Sequence, residues 1–434
     1  MSFSQGPRSL ERVCDFITDG SHFSPTPQAE GFPIVNAKDI PNGRINLDSC
    51  TKISRIDWET LKKQNCAPIP ADVLLSKDGT IGRVIVYESD LGVVVLSSIA
   101  ILRPNNSIDS NYLAQVLRSD DFRRQLLVLE SGSALRRIVL RDIKRLEFCF
   151  PEQKSEQITI ATILSTVDRA IEQTESLIAK QQLIKRGMMQ SLLSCGIDEH
   201  GKIRSEHTHA FRDSPLGRIP TQWDVKRIEQ IARVSYGISD AIDPNNSTGT
   251  PTITLPCVSP DGDLILCPEK LAFTPTKAVK ERDILQNGDL LFNWRNGSQN
   301  HLGKTAYYDH VGIFTHVGFL LKIRTFEAEC DSRFLWFAIN DIKSKGYFLT
   351  AKIQVNNTFN SSELRAVCLR IPPLPEQKII RKHLDAMEKE KNDLNLRLFK
   401  LKSLKTALMQ DLLTGNRLVT PLLDAELTQR AGTI

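Results

Sequence analysis

Two stretches of the chain contain side chains that could support nucleotide binding or hydrolysis. Residues 297–305 (GSQNHLGKT) have the residue types of a phosphate-binding loop, but five residues separate the two glycines where that motif has four, and a strand-like segment follows. Asp261 with Glu269 and Lys270 has the residue types of a nuclease site, but the residue that normally separates Glu from Lys is missing, and residues 260–263 are typical of a turn. Both patterns are therefore interpreted as coincidence.

Histidine and cysteine side chains are the candidates for metal binding. His200, His207 and His209 follow Cys195 in a polar segment, but their spacing is not that of a regular ligand set. The nine cysteines include no C-x-x-C pair, which argues against a disulfide framework and a zinc ribbon. We therefore expect no metal site, and we interpret the cysteines as small core residues in a reducing compartment.

A polyanion is another candidate ligand. Residues 133–145 (SALRRIVLRDIKR) carry five cations and one anion, and neutralisation of phosphates by Lys and Arg supplies much of the affinity of nucleic-acid binders. The alternative is a solvated helix or loop face. The candidate contacts in this stretch are Ser133, Arg136 and Arg137.

Two glycine-containing turns carry further candidates. Residues 77–83 (KDGTIGR) could present backbone N–H groups and cations, and residues 294–301 (WRNGSQNH) are rich in side chains that read base edges, Arg for guanine and Asn or Gln for adenine. A plain β-hairpin turn is the alternative in both places. The candidates in these turns and in two neighbouring loops are Lys77, Thr80, Arg83, Arg295, Asn296, Ser298, Gln299, Asn300 and Lys304, with Thr18, Ser21, His22, Tyr236 and Ser239.

Length and composition limit the architectures that could position these residues. A chain of 434 residues is expected to form two or more domains, and 41% hydrophobic with 25% charged residues is typical of globular proteins. The net charge of +5 permits a polyanionic partner without requiring one. The N-terminus lacks the apolar segment of a signal peptide, and the longest apolar run, residues 91–102, is too short to span a bilayer. We therefore expect a soluble, cytoplasmic protein.

A repeated seam predicts two long helices that pack on each other. Alternating steps of four and three residues from Ile160, and again from Ile380, keep one face of a helix towards a partner. Lys185 and Lys405 interrupt the two seams at the same place, and each helix is expected to end near a glycine, Gly196 or Gly415. The seam positions are Ile160, Leu164, Val167, Ile171, Thr174, Ile178, Gln181, Lys185, Met188 and Leu192, and then Ile380, Leu384, Met387, Lys391, Leu394, Leu398, Leu401, Lys405, Leu408 and Leu412.

The region before each seam is also repeated. Pro-Glu-Gln-Lys occurs at residues 151–154 and 375–378, an offset of 375 − 151 = 224, whereas the seams are offset by 380 − 160 = 220. The first copy is therefore expected to carry four extra residues between motif and seam. Upstream, residues 10–13 resemble 225–228, and residues 71–75 resemble 288–292. A helix is expected at residues 111–129, with a counterpart near 332–343.

These repeats predict a mostly β domain followed by a helix, twice over. The predicted boundaries are 1–150 for the first β-rich domain, 151–197 for the first spacer helix, 198–222 for a polar connector, 223–374 for the second β-rich domain, 375–415 for the second spacer helix and 416–434 for a C-terminal tail.

The pattern resembles the specificity (S) subunits of type I restriction-modification enzymes, and the likeness covers essentially the whole chain. Its most specific pieces are residues 217–220 (GRIP) with Trp223 and residues 225–228, the two Pro-Glu-Gln-Lys motifs, and residues 16–22 (FITDGSH) with 31–33 and 38–40. The resemblance implies an α+β fold of two mostly β target recognition domains separated by two long antiparallel coiled-coil helices, with a pseudo-twofold internal repeat. Each domain would read one half of a split, asymmetric DNA site.

The resemblance also implies partners. Modification (methyltransferase) subunits, expected to number two, would dock on the coil pair and use S-adenosylmethionine, and restriction (translocase/nuclease) subunits would use ATP and Mg²⁺. We expect no cofactor in this chain, because it carries neither the Asn or Asp-Pro-Pro-aromatic motif nor the Gly-rich cofactor turn of an adenine methyltransferase. A non-catalytic subunit follows. The alternative is a coiled-coil scaffold whose β-rich domains bind protein partners.

Overall fold

The computed structural model describes residues 3, 6–88, 92–129, 137–239, 246–296, 301–350 and 357–419. The chain divides into two units. The first consists of Met1–Glu175 with Leu396–Ile434, and the second is Ser176–Asn395. Each of two long helices therefore contributes one part to each unit.

The first unit contains a β-rich domain and the first long helix, which continues into the second unit. Its elements are β1 (Arg8–Ser9), α1 (Leu10–Val13), β2 (Cys14–Asp19), β3 (Phe32–Val35), β4 (Thr51–Ile53), α2 (Arg55–Lys63), β5 (Val73–Ser76), β6 (Val84–Val86), β7 (Val94–Val95), β8 (Ile99–Pro104), α3 (Ser110–Leu117), α4 (Asp120–Leu129), α5 (Leu140–Lys144), β9 (Glu147–Phe148) and α6 (Lys154–Leu192), with 3-10 turns at Ala37–Asp39, Pro41–Gly43 and Leu47–Ser49.

The second unit repeats this series after a short hairpin, and its last helix continues into the first unit. Its elements are β10 (Phe211–Arg212), β11 (Ile219–Pro220), β12 (Asp224–Arg227), α7 (Ile228–Ile231), β13 (Ala232–Tyr236), β14 (Thr250–Ile253), β15 (Ala272–Thr274), β16 (Leu290–Asn293), β17 (Arg295–Asn296), β18 (Thr305–Tyr307), β19 (Thr315–His316), β20 (Leu320–Thr325), α8 (Ser332–Ser344), β21 (Asn357–Thr358), α9 (Ser361–Arg365), β22 (Cys368–Ile371) and α10 (Leu374–Leu413), with 3-10 turns at Leu255–Cys257, Pro268–Lys270, Thr276–Ala278, Glu281–Asp283 and Tyr347–Thr350.

Sheet topology is the same in both units. The first has a four-stranded sheet in the order β2-β8-β5-β6 and a three-stranded sheet in the order β4-β3-β7. The second has the orders β13-β20-β16-β18 and β15-β14-β19, with the same parallel pairing of the second and third strands in the smaller sheet. The predicted α+β fold with a duplicated, mostly β domain is confirmed.

Burial on both faces explains why strand β8 of the larger sheet in the first unit reads as an apolar run. In β8, Ala100 and Leu102 pack into one core, whereas Ile99 and Ile101 pack into another on the opposite face. Successive side chains of a strand point to opposite faces, so both sets must be apolar when both faces are covered.

A buried aspartate directly before an equivalent strand, β5 or β16, accepts hydrogen bonds from an arginine in each unit. Asp72 accepts two hydrogen bonds from Arg103, at 2.8 and 2.9 Å, and Asp289 accepts two from Arg324, at 2.7 and 2.6 Å. Both aspartates are 1% exposed. The expected equivalence of residues 71–75 and 288–292 therefore extends to their side-chain chemistry.

A buried glutamine at the start of each long helix corrects the expected equivalence of the two Pro-Glu-Gln-Lys motifs. Gln157 accepts a hydrogen bond from the Asp109 backbone N–H at 2.7 Å, and Gln377 accepts one from the Asp331 N–H at 2.8 Å. Each amide group also donates to a proline carbonyl, Pro151 or Pro372.

Both glutamines are fully buried, and their offset is 377 − 157 = 220, the offset of the seams. The counterpart of Glu376-Gln377 is therefore Glu156-Gln157, and Gln153 of the first motif lies exposed at the helix start. No residues are inserted between this buried glutamine and the seam.

Three smaller expectations also change. Helix α1 (Leu10–Val13) corresponds to α7 (Ile228–Ile231), not to residues 225–228, because the first N–H of each helix bonds to the equivalent carbonyl, Leu146 or Val367. The helix expected at residues 111–129 is two helices, α3 and α4. The polar connector contains the hairpin of β10 and β11.

The connector is anchored by a buried carboxylate. Glu376 accepts hydrogen bonds from Arg204 at 2.5 Å, from the Ile197 N–H at 2.9 Å and from the Trp223 indole at 3.1 Å. Gly196, with φ of 70°, lies against this group, and a Cβ there would meet Glu376 Oε1 at 2.2 Å. Glycine is therefore required at this position by both backbone conformation and space.

Helices α6 and α10 pack antiparallel in each unit. In the first unit, Lys405 pairs with Asp168 at 2.6 Å and Lys402 with Glu175 at 2.8 Å. Residue numbers therefore rise along α6 as they fall along α10. In the second, Lys185 pairs with Glu388. Every one of the seam positions is buried or half-buried.

Two of the seam lysines, Lys185 and Lys405, have equivalent partners. Adding 220 to Asp168 gives 388, and subtracting 220 from Lys405 gives 185, so Asp168–Lys405 and Glu388–Lys185 are the same interaction in the two units. A polar group at a seam position is satisfied only in one register, and it therefore specifies helix alignment. The interruption of the apolar seam is thus a matched ion pair.

Candidate nucleic-acid interface

Three separate sequence stretches meet at one edge of the first unit and form a charged cluster of Asp19, His22, Lys77, Asp78 and Arg137. Asp19 Oδ2 lies 3.4 Å from both Lys77 Nζ and His22 Nε2. Asp78 Oδ1 lies 3.9 Å from Lys77 Nζ and 3.5 Å from Arg137 Nε. The fold thus brings together the loop after β2, the turn after β5 and the end of the basic stretch.

Lys77 occupies the interior of this cluster. Its side chain is 1% exposed, whereas those of His22 and Arg137 are 65% and 50% exposed. Its backbone N–H donates to Ser98 O, and its carbonyl accepts from the Ile138 N–H. Lys77 therefore holds the loops together, and the exposed cations available to a phosphate are His22, when protonated, and Arg137.

The loop after β2 is fixed by its backbone. Gly20 approaches β7 so closely that a Cβ would meet Val95 O at 2.3 Å, and the Ser21 N–H donates to the same carbonyl at 2.8 Å. The Ser21 hydroxyl is buried and bonds to the backbone of Phe23. Thr18 is half-buried and donates to Asp19 O. Of the candidates in this loop, His22 is the exposed one.

The turn after β5 divides its candidates between surface and interior. Thr80 is exposed, and its carbonyl accepts a hydrogen bond from Ser76 Oγ at 2.5 Å. Arg83 donates to the carbonyls of Ala37 and Ile40 at 3.1 and 3.0 Å. Its guanidinium caps a 3-10 turn, so its placement favours a structural role. Among the candidates, Ser133, Arg136, Ser298, Gln299 and Asn300 lie outside the described residues.

The second unit has the same backbone arrangement with different side chains. The Phe359 N–H donates to Trp294 O at 2.8 Å, as the Ile138 N–H donates to Lys77 O at 3.0 Å. In the strand pairing, Tyr236 lies opposite Leu321 and Asp19 opposite Ala100. Trp294 therefore stands where the first unit has Lys77, and Tyr236 where it has Asp19.

These positions form an aromatic cluster of Tyr236, Trp294, Arg295 and Phe319. The rings of Tyr236 and Trp294 meet edge to face with centroids 5.4 Å apart. The Trp294 indole donates to Gly318 O at 2.6 Å, and the Tyr236 hydroxyl accepts from the Ser361 N–H at 3.2 Å. Arg295 lies over the Phe319 ring, 5.8 Å from its centroid.

The other described candidates of the second unit differ in exposure. Ser239 is exposed, and Arg295 and Asn296 are half-buried. Lys304 is 7% exposed, and burial, together with the Lys343 ammonium, lowers the pKa of Lys304, although Asp261 acts in the opposite direction. Lys304 corresponds to Arg83, since each carbonyl accepts the equivalent strand N–H, from Asn293 or Ser76. Both are therefore placed inside their units.

Sequence reasoning did not include Asp19, Asp78, Trp294 or Phe319 among the candidates. Asp19, Asp78 and Trp294 are each next in sequence to a candidate, and the Phe319 ring lies beneath the candidate Arg295. A search for phosphate and base-edge ligands passes over acidic and aromatic side chains. His316 was also passed over and is fully buried beside β14. Burial, and to a smaller degree the Lys322 ammonium, lowers the pKa of His316 to about 3, so it is neutral and supplies no cation.

Within the described ranges, no group of three or more His, Cys, Asp or Glu side chains is arranged to hold a metal ion. Nor does any described helix have the length and apolarity needed to cross a membrane. What the two clusters offer is side chains for recognition: an exposed arginine and histidine in the first unit, and an arginine with exposed aromatic surface in the second.

Comparison with known proteins identifies the family. The family model described as the type I restriction modification DNA specificity domain matches residues 8–181 and again 220–399. The MjaX type I restriction enzyme specificity subunit of Methanocaldococcus jannaschii is 25% identical over 395 residues, covering 88% of this chain and 86% of that protein. The StySPI specificity subunit of Salmonella potsdam is 21% identical over 391 residues, covering 84% and 79%.

Solved structures share the fold. The S subunit of a type I restriction-modification system from M. genitalium aligns with a TM-score of 0.61 at 16% identity, covering 94% of this chain and 96% of that one. A chain from a structure on complex assembly and conformational transition of the type I R-M system aligns with a TM-score of 0.54 at 17% identity, covering 96% and 100%. The chain belongs to the type I restriction-modification DNA specificity family, and its function is that of a DNA sequence-specificity subunit.

Proposed function

We propose that this chain reads a bipartite, asymmetric DNA target with one half-site for each β-rich domain. The observation that carries this proposal is the duplicated scaffold with unlike side chains at its loop ends. Equivalent backbones hold Lys77 with Asp19 in one unit and Trp294 with Tyr236 in the other. Two readers of one design but different surface chemistry suit two different half-sites.

The chain would act without catalysing a reaction and would direct partner subunits. Those partners are adenine methyltransferase subunits, two of them, that use S-adenosylmethionine, and endonuclease/translocase subunits that use ATP and Mg²⁺, in the cytoplasm. The names of the related specificity subunits and the absence of methyltransferase motifs from the sequence support this assignment.

Docking of the modification subunits would use the outer faces of the long helices. The seam side chains face the partner helix and are buried or half-buried, so they have little surface left for another protein. Apolar side chains outside the seam remain exposed, and two of them, Ile184 and Leu404, are again 404 − 184 = 220 residues apart. The exposed apolar side chains outside the seam are Ile158, Leu177, Leu183 and Ile184 of α6 and Ile379, Leu396, Phe399 and Leu404 of α10.

Selection from random duplexes tests the DNA proposal. The complex assembled with its modification subunits is incubated with a pool of random duplexes, and bound DNA is sequenced. We expect two short specified blocks separated by a gap of fixed length and unspecified sequence. Binding that is indifferent to sequence would favour the alternative, a scaffold whose β-rich domains bind proteins.

A matched pair of deletions tests the proposal that the helix pair sets the gap. Removing residues 174–180 and 394–400 takes one heptad from each helix, so both seams and both lysine pairs are retained. Seven residues shorten a helix by about 10.5 Å, close to three base pairs at about 3.4 Å each. We expect unchanged half-sites with a gap about three base pairs shorter, and an unchanged gap would contradict the spacer role.

A further inference from the structure

A short turn of the second unit presents an aromatic ring where the first unit presents a hydroxyl. Phe319 immediately precedes β20 and is 47% exposed. Its counterpart before β8 is Ser98, whose hydroxyl bonds to Asn36 Oδ1 at 3.0 Å and accepts the Ala37 N–H at 3.1 Å. The serine is used within its own unit, whereas the phenyl ring is turned towards solvent.

The turn that carries Phe319 is rigid. The Gly318 N–H donates to Ile238 O at 2.6 Å, and the Leu320 N–H donates to Val317 O at 3.0 Å. The Trp294 indole bonds to Gly318 O at 2.6 Å. Because hydrogen bonds hold the backbone on both sides of Phe319, little loop entropy is lost when its ring contacts a ligand.

Arg295 completes the surface. Its guanidinium lies over the Phe319 ring, 5.8 Å from the centroid, and among the described residues its side chain forms no ion pair. The donors of the guanidinium thus remain available on the same surface as the ring. In the major groove, Arg bonds to guanine O6 and N7, and an apolar side chain contacts the thymine methyl group.

We propose that Arg295 and Phe319 act together to read a guanine and an adjacent thymine in the half-site bound by the second unit. The guanidinium donates to guanine O6 and N7, and the ring covers the thymine 5-methyl group. The guanidinium lies 5.8 Å from the ring centroid, and base pairs are about 3.4 Å apart, so the two groups can contact neighbouring base pairs. This inference rests on the proposed function and adds Phe319 as a specificity-determining residue.

Base analogues in the selected duplex give a direct test. Each thymine of both half-sites is replaced in turn by deoxyuridine, which lacks only the methyl group, and affinity of the assembled complex is measured by fluorescence anisotropy. At one thymine beside a guanine we expect about fourfold weaker binding, the factor for one buried methyl group. Replacing that guanine by 7-deazaguanine, which lacks the N7 acceptor, should weaken binding about tenfold or more.

Variants connect these effects to the two residues. Phe319→Ala should make binding insensitive to the deoxyuridine substitution, whereas Phe319→Leu, which retains apolar surface, should preserve part of the sensitivity. Arg295→Ala should abolish the 7-deazaguanine effect. Phe326→Ala is the control, because Phe326 is 41% exposed and immediately follows β20, at the other end of the strand from Phe319. It should change neither effect.

The outcomes separate this inference from the function on which it rests. A wild-type complex that selects a bipartite sequence without any guanine–thymine neighbour, or that tolerates every deoxyuridine, overturns the reading by Arg295 and Phe319 but leaves the specificity function in place. The same holds if Phe319→Ala retains full methyl sensitivity. A wild-type complex without sequence selection removes the proposed function itself.

Discussion

The charged cluster of the first unit and the aromatic cluster of the second occupy the same place on the same scaffold. The backbone carbonyl of Lys77 accepts a hydrogen bond from the Ile138 N–H, and that of Trp294 accepts one from the Phe359 N–H. One cluster is held by ion pairs, and the other by an edge-to-face ring contact and an indole hydrogen bond. Loop-end side chains can thus change completely while the backbone beneath them stays the same.

The parts that do not differ are buried or half-buried. Asp72–Arg103 and Asp289–Arg324, the buried glutamines of α6 and α10, and the lysine pairs of the long helices recur with the same partners. A rigid scaffold under variable loops is the arrangement expected for recognition. The internal repeat is therefore strongest where side chains are enclosed and weakest where they reach the surface.

The largest effect is expected at the shared aspartates. Asp72→Ala and Asp289→Ala each remove a 1%-exposed carboxylate that accepts a bidentate arginine and a backbone N–H. Each should lower the free energy of unfolding of its own unit by about 3 kcal/mol, because buried donors lose their acceptor. Hydrogen exchange of strands in each unit measures the two effects separately. Clearly unequal losses of stability would show that the Asp72–Arg103 and Asp289–Arg324 pairs are not equivalent.

A smaller effect is expected where the clusters differ. Trp294→Ala should destabilise the second unit by about 2 kcal/mol, since a half-buried indole loses packing and its hydrogen bond to Gly318. Lys77→Met should stay within about 1 kcal/mol of the wild type, because a thioether suits the interior and Asp19 and Asp78 keep partial exposure. Urea-dependent hydrogen exchange of each unit measures the two losses of stability. A larger loss for Lys77→Met than for Trp294→Ala would contradict this prediction.

Acidity should weaken the ion pair of Glu388 with Lys185. Burial alone would raise the pKa of Glu388, but hydrogen bonds from Lys185 and Lys391 outweigh it and hold that pKa below its ordinary value of 4.5. Glu388 therefore stabilises the folded helices above pH 4.5, and this contribution is lost as the pH falls through the folded pKa.

Glu388→Gln should flatten the dependence of helix stability on pH below 4.5, by about 1 kcal/mol for a partly buried pair of this kind. Hydrogen exchange of α10 across this pH range is the measurement. Glu390→Gln is a matched control, since Glu390 is exposed on the same helix and bonds to Gln181 without a cation. An equal change in both variants would assign the effect to general charge.

The smallest effect is expected in DNA affinity. Arg137 is half-exposed in the charged cluster, and its counterpart in the second unit is the uncharged Thr358. The two are equivalent because Arg137 forms a backbone β-bridge with Asp78, and Thr358 pairs in the same way with Arg295. Arg137→Ala should weaken binding severalfold for all sequences alike and reduce the slope of log affinity against log salt by about one. Thr358→Ala should leave the slope unchanged. A sequence-selective loss at Arg137 would instead indicate base contact.

Periodicity made much of the fold predictable. Two long helices and the seam positions follow from steps of four and three residues, because only the face towards the partner must stay apolar over such a length. Their antiparallel direction was implied by the family resemblance, and the ion pairs between α6 and α10 confirm it. The equivalence of Asp72 and Asp289 was visible as well. The first Pro-Glu-Gln-Lys motif was wrongly taken as the counterpart of the second, because a four-residue match in sequence does not require the same contacts in the fold. The hydrogen bonds of the buried Gln157 identify it as the counterpart of Gln377.

The candidate interface was less predictable. Lys77, Arg83 and Lys304 have the residue type of phosphate ligands, yet each is buried or bonded within its unit. Arg137 and Asp19 are far apart in the chain, and their common neighbourhood depends on strands that pair over long separations. A residue type states what chemistry is possible, whereas exposure and partners state whether the group is available.

The amino-acid sequence by itself determined the duplication, the α+β character and the long helices, because these depend on spacing and local periodicity along the chain, and its motifs carried the resemblance to the family. Only the tertiary structure decided which cations are enclosed, which carboxylates hold them, and that an ion pair in one unit is replaced by two aromatic rings in the other. Such pairings join residues distant in sequence, and their energies depend on burial, which no local pattern specifies.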